Sequence, residues 1–198
     1  MAKPFIKWVG GKSQLIPEIT QRLPEYVKNG KPYIYVEPFS GSAAVALHLL
    51  DSGHPPSAII LNDINTDLVN LYKVVKSNPH ELLAYLKTLQ VEYDELEDKE
   101  AKQPYYYTKR EEFNTREADD IKHAGLFIFL NRAGFNGLYR VNSKNKFNVP
   151  IGSYKKPNFV FEDIILQASK VLANVEIYNQ SYEDTLSHLE QFNKSNLP

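Results

Sequence analysis

Tyr33-Ile34-Tyr35-Val36-Glu37-Pro38-Phe39-Ser40-Gly41-Ser42-Ala43-Ala44-Val45 decides the fold. The run reads as a strand, Tyr33 to Val36, that ends in a carboxylate and turns through small residues. A helix follows from about Ser42 to Leu50, stopped by Gly53. A second apolar run, Ala58 to Leu61, ends in Asn62-Asp63, 22 residues past Gly41. Leu68, Leu71, Tyr72 and Val75 then give the next helix one apolar face. Strand, helix, strand, helix predicts right-handed crossovers on a parallel sheet, an α/β fold. Such sheets bind ligands at the carboxyl ends of their strands, where Glu37 and Asp63 are expected. A turn of small residues admits a ligand close to the backbone, and a carboxylate at this spacing can accept from ribose hydroxyls. The competing reading makes Asp63 or Asn65 the cap of the following helix.

The chain of 198 residues, 42% of them apolar, is long enough to bury a core in one or two domains. It has no cysteine, which excludes disulfides, thiol catalysis and thiolate metal sites. The five histidines (His48, His54, His80, His123, His188) lack ligand spacing, so no metal site is expected. No apolar run is long enough to span a bilayer and no signal peptide precedes the first strand, so a cytoplasmic, membrane-free protein is expected.

The net charge of −1 hides an asymmetry. Between Asn131 and Val160 lie Arg132, Arg140, Lys144, Lys146, Lys155 and Lys156, with no Asp or Glu. Asn131, Asn136, Asn142, Asn145, Asn148 and Asn158 crowd the same segment, with Phe135, Tyr139, Phe147 and Tyr154 between them. Cations meet phosphate, amides read base edges and rings stack or wedge, so this composition suits a nucleic-acid surface. A solvated loop is the plainer alternative.

Elsewhere, Leu15, Ile16, Ile19 and Leu23 recur with helical spacing. Asn78-Pro79-His80-Glu81 predicts a helix start with Asn78 as N-cap, Pro at the first position and Glu81 completing a capping box. Leu82, Leu86, Leu89 and Tyr93 line one side of that helix. Helical patterns follow at Tyr105–Arg116 and Asp119–Arg132, then at Ile164, Ile165, Ala168 and Val171. Val175 to Tyr178 reads as a third strand and residues 182–194 as helix. Gly11-Lys12-Ser13 hints at a P-loop, but the pattern needs Gly where Ile6 stands, so that reading fails. Lys12 and Trp8 still flank accessible glycine amides.

The segment from Phe129 to Pro157 carries the most information. Asn131-Arg132-Ala133-Gly134-Phe135-Asn136-Gly137-Leu138-Tyr139-Arg140-Val141-Asn142, with Phe147-Asn148-Val149-Pro150 and Gly152-Ser153-Tyr154-Lys155-Lys156-Pro157, resembles the Dam-type DNA adenine-N6 methyltransferases (D12 class, alpha group). Pro4 to Lys12 resembles the family's amino-terminal cofactor motif, and Val36 to Gly41 its glycine motif. Asn62 to Leu68 resembles its acidic motif, and Arg110 to Asn114 a helix of its DNA-binding insertion. The five stretches stand in the family's order across residues 4 to about 185.

The resemblance implies a partial Rossmann-like sheet of the S-adenosylmethionine-dependent methyltransferase type with an inserted, mainly helical DNA-recognition domain. The methyltransferase part would comprise residues 1–76 and 161–198, the target-recognition part residues 77–160. It implies S-adenosylmethionine as cofactor, surrounded by Trp8, Lys12, Glu37 and Asp63, with Asp63 on the ribose. Double-stranded DNA is the implied partner, and GATC the implied site. Lys7 would face DNA beside the cofactor, and Arg110 would neutralise phosphate. Phe135, Asn136, Leu138 and Arg140 would form the recognition hairpin, Phe135 as a wedge and Asn136 and Arg140 on base edges.

Two departures from the family pattern stand out. The glycine motif usually ends G-x-G, but here reads Gly41-Ser42-Ala43, so a methyl group is expected to crowd the cofactor. The catalytic D-P-P-Y, which follows a fourth strand in the family, occurs nowhere in the 198 residues. Asn179, Gln180 and Tyr182 are expected to shape the adenine side of the cofactor site rather than replace it. The 198-residue chain is therefore expected to be inactive alone, to leave its first strand without a neighbour, and to need a second chain carrying the catalytic strand. A catalytically inactive DNA-binding relative is the alternative. An RNA or protein-amine methyltransferase fits the basic segment less well.

Overall fold

The computed structural model describes residues 2–185 and 187. Two short helices, α1 (Ile16–Gln21) and α2 (Glu25–Lys28), lead into β1 (Ile34–Glu37), α3 (Ala44–Leu50), β2 (Ala58–Asn62) and α4 (Thr66–Ser77). Three longer helices follow: α5 (Pro79–Asp94), α6 (Lys99–Thr115) and α7 (Asp120–Ala133). An irregular hairpin comes next, then α8 (Glu162–Leu172) and β3 (Val175–Tyr178). The three described strands are parallel in the order β1-β2-β3, with Glu37 opposite Leu61 and Leu61 opposite Ile177. The described residues therefore have the expected mixed α/β architecture around a parallel sheet.

Central β2 is buried along most of its length, as a parallel strand covered on both faces requires. β1 is only half-buried at each position and pairs on one side alone among the described residues. Helix α4 turns Leu68, Leu71, Tyr72 and Val75 into the core and packs against α7 and α8. Helix α7 is apolar almost all round, so only burial suits it. It sits among α4, α5 and α6. The rings of Tyr93, Phe129 and Phe159 meet edge-to-face with centroids 4.9–5.7 Å apart, a geometry that adds to simple area burial.

Three local expectations change. The capping box at Asn78 does not form, because α4 runs directly into α5. Asn78 N–H already donates to Val74 O at 2.8 Å, and its side chain makes no cap bond. The apolar side of α1 is only half-covered, with Ile16 and Ile19 partly exposed and none of its residues fully buried. Tyr182–Asp184 is a 3-10 turn rather than a helix start, and most of the helix expected over 182–194 lies outside the described residues. Among the described residues, no helix is long and apolar enough to cross a membrane.

Candidate functional site

The turn after β1 is built to be tight. Ser40 N–H donates to Asn62 O at 2.9 Å and Ala43 N–H to Ser40 O at 2.7 Å. Gly41 sits at φ +47°, and a Cβ there would lie 2.9 Å from Trp8 Cδ1. Asp63 braces this turn: its Oδ2 accepts from Gly41 N–H at 3.1 Å and its Oδ1 from Asn65 N–H at 3.0 Å. Asn65, not Asp63, caps α4 by accepting from Leu68 N–H. The expected crowding by Ala43 is corrected. Its methyl is buried in the core at 1% exposure. The cost falls on the backbone instead, since φ is +48°, a left-handed conformation worth about 1–2 kcal/mol for a residue with a Cβ.

Trp8, Gly11, Lys12, Glu37, Phe39 and Ser42 line a cleft of about 570 Å³ against this turn, a size typical of small-molecule sites. Asp63 does not line it, and reaches it through the N–H of Gly41. Glu37 is its least comfortable member. Its Oε1 accepts from Tyr35 O–H at 2.9 Å and Ala46 N–H at 3.3 Å. Its Oε2 is buried without a partner. Beyond β3, Asn62 Nδ2 donates to Gln180 O at 3.0 Å and Asn179 Nδ2 to Asp63 O at 2.9 Å, tying that loop to the acidic strand end. The rings of Phe39 and Tyr182, both exposed, face each other 5.3 Å apart.

The basic segment folds as a two-faced hairpin. Gly134 bridges Ile151 and Val141 bridges Phe147, both antiparallel. Phe147 and Val149 point into the core, while Arg140, Lys144, Lys146, Lys155 and Lys156 are exposed. Phe135 is half-exposed, and Asn136 is held outward at φ +53°. Leu138 is half-buried. Arg140 is oriented by Asn148, donating from Nε to Oδ1 at 2.7 Å. The Lys7 ammonium lies 4.2 Å from the Tyr154 ring centroid and donates to its hydroxyl at 3.0 Å. Asn131 stitches this region together, bonding both backbone groups of Lys7 and the carbonyl of Gly137. Arg110 lies over the Tyr107 ring, 4.6 Å from its centroid and largely covered. Cleft and hairpin meet where Tyr139 stacks on Trp8, with ring centroids 5.5 Å apart.

Sequence reasoning missed the group beneath that contact. The Asp67 carboxylate, 3% exposed, accepts from Arg116, from His123 Nε2 at 2.9 Å and from Tyr139 O–H at 2.6 Å. Burial and the Arg116 guanidinium push the His123 pKa down to about 4, so the imidazole is neutral and donates through Nε2–H. The available signals were Asp67 directly before the buried Leu68 and His123 opening an apolar run.

Residues 8–194 match the family model of the D12 class N6 adenine-specific DNA methyltransferases. The chain belongs to that class. It is 42% identical over 183 residues to the type II methyltransferase M.MjaIII of Methanocaldococcus jannaschii, covering 91% of this chain and 63% of the relative. It is 37% identical over 188 residues to the DNA adenine methylase of Escherichia coli K12, covering 95% of this chain and 61% of the relative. A type II methyltransferase of Lactococcus lactis, M1.LlaDCHI, is 34% identical over 193 residues, covering 95% and 62%. The chain thus spans just over three fifths of the length of these relatives.

Glu37 makes a testable feature of this chain. Burial raises its pKa to about 7, against the bonds from Tyr35 and Ala46 and the charge of Lys12. Below the ordinary carboxylate range both folded and unfolded chains hold this proton. Between there and about pH 7 only the folded chain does, so stability falls as pH rises, then levels off. The contribution is about 3 kcal/mol by the usual conversion of pKa into free energy. Chemical denaturation from about pH 5 to about pH 8 should show this decline in the wild type and a flatter profile in Glu37→Gln.

Proposed function

We propose that this chain is the cofactor-binding and DNA-recognition part of a site-specific DNA adenine-N6 methyltransferase that uses S-adenosylmethionine. One observation carries the reading: the stack of Tyr139 on Trp8 sets an exposed basic hairpin beside a cleft holding a buried, unsatisfied carboxylate oxygen.

The cleft fits the cofactor chemically. The orphan Oε2 of Glu37 suits a cationic ligand, and Gly41 keeps the floor free of a side chain that would strike Trp8. Bound there, S-adenosylmethionine supplies an electrophilic methyl group. Trp8 and Lys12 would wall its site, Glu37 would favour its positive end, and Asp63 would accept from ribose through lone pairs left by its backbone bonds. Asn179, Gln180 and Tyr182 would shape the adenine side. Residues 1–76 and 161–198 would form this part, and residues 77–160 the DNA-reading part.

On DNA, Lys7 would lie beside the cofactor and Arg110 would neutralise phosphate. Phe135 would enter a base step while Asn136, Leu138 and Arg140 meet base edges. Asn148 already orients the Arg140 guanidinium, lowering the entropy lost when it engages a base. GATC is the proposed site. The catalytic D-P-P-Y does not occur within these 198 residues, so turnover is proposed to need a further segment that supplies it, tested below as a second polypeptide. The second reading, carried by the exposed basic hairpin alone, is a sequence-specific DNA binder without activity.

The test is binding by fluorescence anisotropy. The protein should prefer a GATC duplex over a scrambled duplex and over single-stranded RNA. Arg140→Ala should lose about 1–3 kcal/mol of discrimination at one base pair, while Lys144→Ala should weaken all duplexes evenly. Equal affinity for RNA and duplex DNA would refute the proposal.

A further inference from the structure

We infer that Tyr139, anchored by Asp67, is the positioning residue that locks the recognition hairpin to the cofactor turn and makes cofactor and duplex binding mutually reinforcing. The inference rests on the proposed reading of the cleft and hairpin, and extends it to how the two sites communicate.

One short stretch of chain holds both sides of the contact. Asp63, just before α4, fixes the N–H of Gly41 on the cofactor side. Asp67, in the first turn of α4, fixes the hydroxyl of Tyr139 on the hairpin side. Between them lies Trp8, its edge against Gly41 and its face stacked on Tyr139 at 5.5 Å and 29°. The hairpin has a second tether from the same hub. Arg116, held at φ +61°, meets Asp67 with one nitrogen and donates to Asn145 O at 3.1 Å with the other. Asn145 belongs to the hairpin tip, where Asn142 N–H donates to Lys146 O.

The ring of Trp8 and the path of the hairpin therefore cannot move independently. A ligand that settles Trp8 against Gly41 also settles Tyr139, and with it Leu138 and Arg140 on either side. Ordering done by the first ligand need not be repeated by the second, which is positive coupling, and linkage makes it reciprocal. The hydroxyl of Tyr139 is the specific element. A phenol bound to a buried carboxylate is a short, charge-assisted anchor, whereas a phenylalanine would keep the stack on Trp8 but lose the tether at the ring, leaving only the Arg116 tether at the hairpin tip.

The experiment uses the 198-residue protein, S-adenosylhomocysteine as probe and a short GATC duplex. Duplex affinity is measured with and without saturating probe, and probe affinity alone by calorimetry. In the wild type the probe should tighten duplex binding about ten-fold, within the usual range for such coupling. In Tyr139→Phe the coupling should fall below about two-fold while probe affinity alone stays within about two-fold of wild type. Asn148→Ala, which frees Arg140 without touching the hub, should weaken duplex binding and leave the coupling intact. A thermal melt confirms that each variant is folded. Wild-type coupling retained in Tyr139→Phe overturns the inference, as does a wild type that binds both ligands without coupling. A wild type that binds neither ligand overturns the functional reading, and the inference with it.

Discussion

Given S-adenosylmethionine and a GATC duplex, the 198-residue polypeptide alone should transfer no methyl group above background. Adding a second polypeptide that bears a strand ending in Asp-Pro-Pro-Tyr should raise transfer by at least about a thousand-fold. The first half follows from the side chains present. Transfer to an exocyclic amine needs acceptors that orient its lone pair and a surface that holds the base. The loop after β3 carries Glu183 and Asp184, both exposed, but no Asp-Pro-Pro-Tyr to hold a carboxylate and a ring against the base. Glu37 is buried, with Oε1 engaged by Tyr35 and Ala46 and Oε2 proposed for the cofactor, and Asp63 is engaged by Gly41 and Asn65. The second half follows from the sheet. Among the described residues β1 pairs only with β2, so its other edge can accept a parallel strand whose carboxyl end would arrive beside Glu37. Positioning of reactants is the main resource of such chemistry, and loss of the orienting groups removes most of it. Incorporation of labelled methyl into DNA reads both arms. Robust transfer by the single chain would sink the idea. Intact duplex binding with no rescue by the second polypeptide would favour the inactive DNA-binding reading.

The sheet was legible because its strands carry local signals. β2 is an unbroken apolar run set between Pro55-Pro56 and Asn62-Asp63, and β3 occupies the expected Val175–Tyr178. The buried faces of α4 and α5 also follow from spacing alone. The hairpin was harder, because its fully buried apolar side chains among the described residues are Phe147 and Val149, separated by the half-buried Asn148, while Leu138, Tyr139 and Ile151 are only half-covered. Composition gives such a segment a charge but no inside. At Asn78 a local rule lost to a longer one: the N–H that a capping box would use closes the last turn of α4. Ala43 shows the same limit, since the sequence gives a methyl group but not the direction in which it points. The hub at Asp67 was out of reach altogether. Its partners lie 49, 56 and 72 residues away, and no periodicity links positions so far apart.

That hub is where a single substitution should cost most. Asp67→Ala is expected to lower folding stability by about 3–5 kcal/mol at neutral pH, the range for removing one partner of a buried ion pair. Three donors lose their acceptor at once. Arg116 is 32% exposed and can recover some hydration, which pulls the figure toward the lower end. His123 and Tyr139 are mostly covered and cannot, so their donors stay unsatisfied. Because His123 is held neutral, the ion pair proper is Asp67 with Arg116, and the double variant Asp67→Ala, Arg116→Ala should cost less than the sum of the singles. Urea denaturation of the four proteins gives the cycle directly. A loss under about 1 kcal/mol for Asp67→Ala would mean the carboxylate is solvated and α4 does not hold the hairpin. A loss in the expected range with additive singles would mean that the stability comes from His123 and Tyr139 rather than from the charge pair. The two outcomes separate the electrostatic part of the hub from its hydrogen bonds, and only the latter are needed to tether Tyr139.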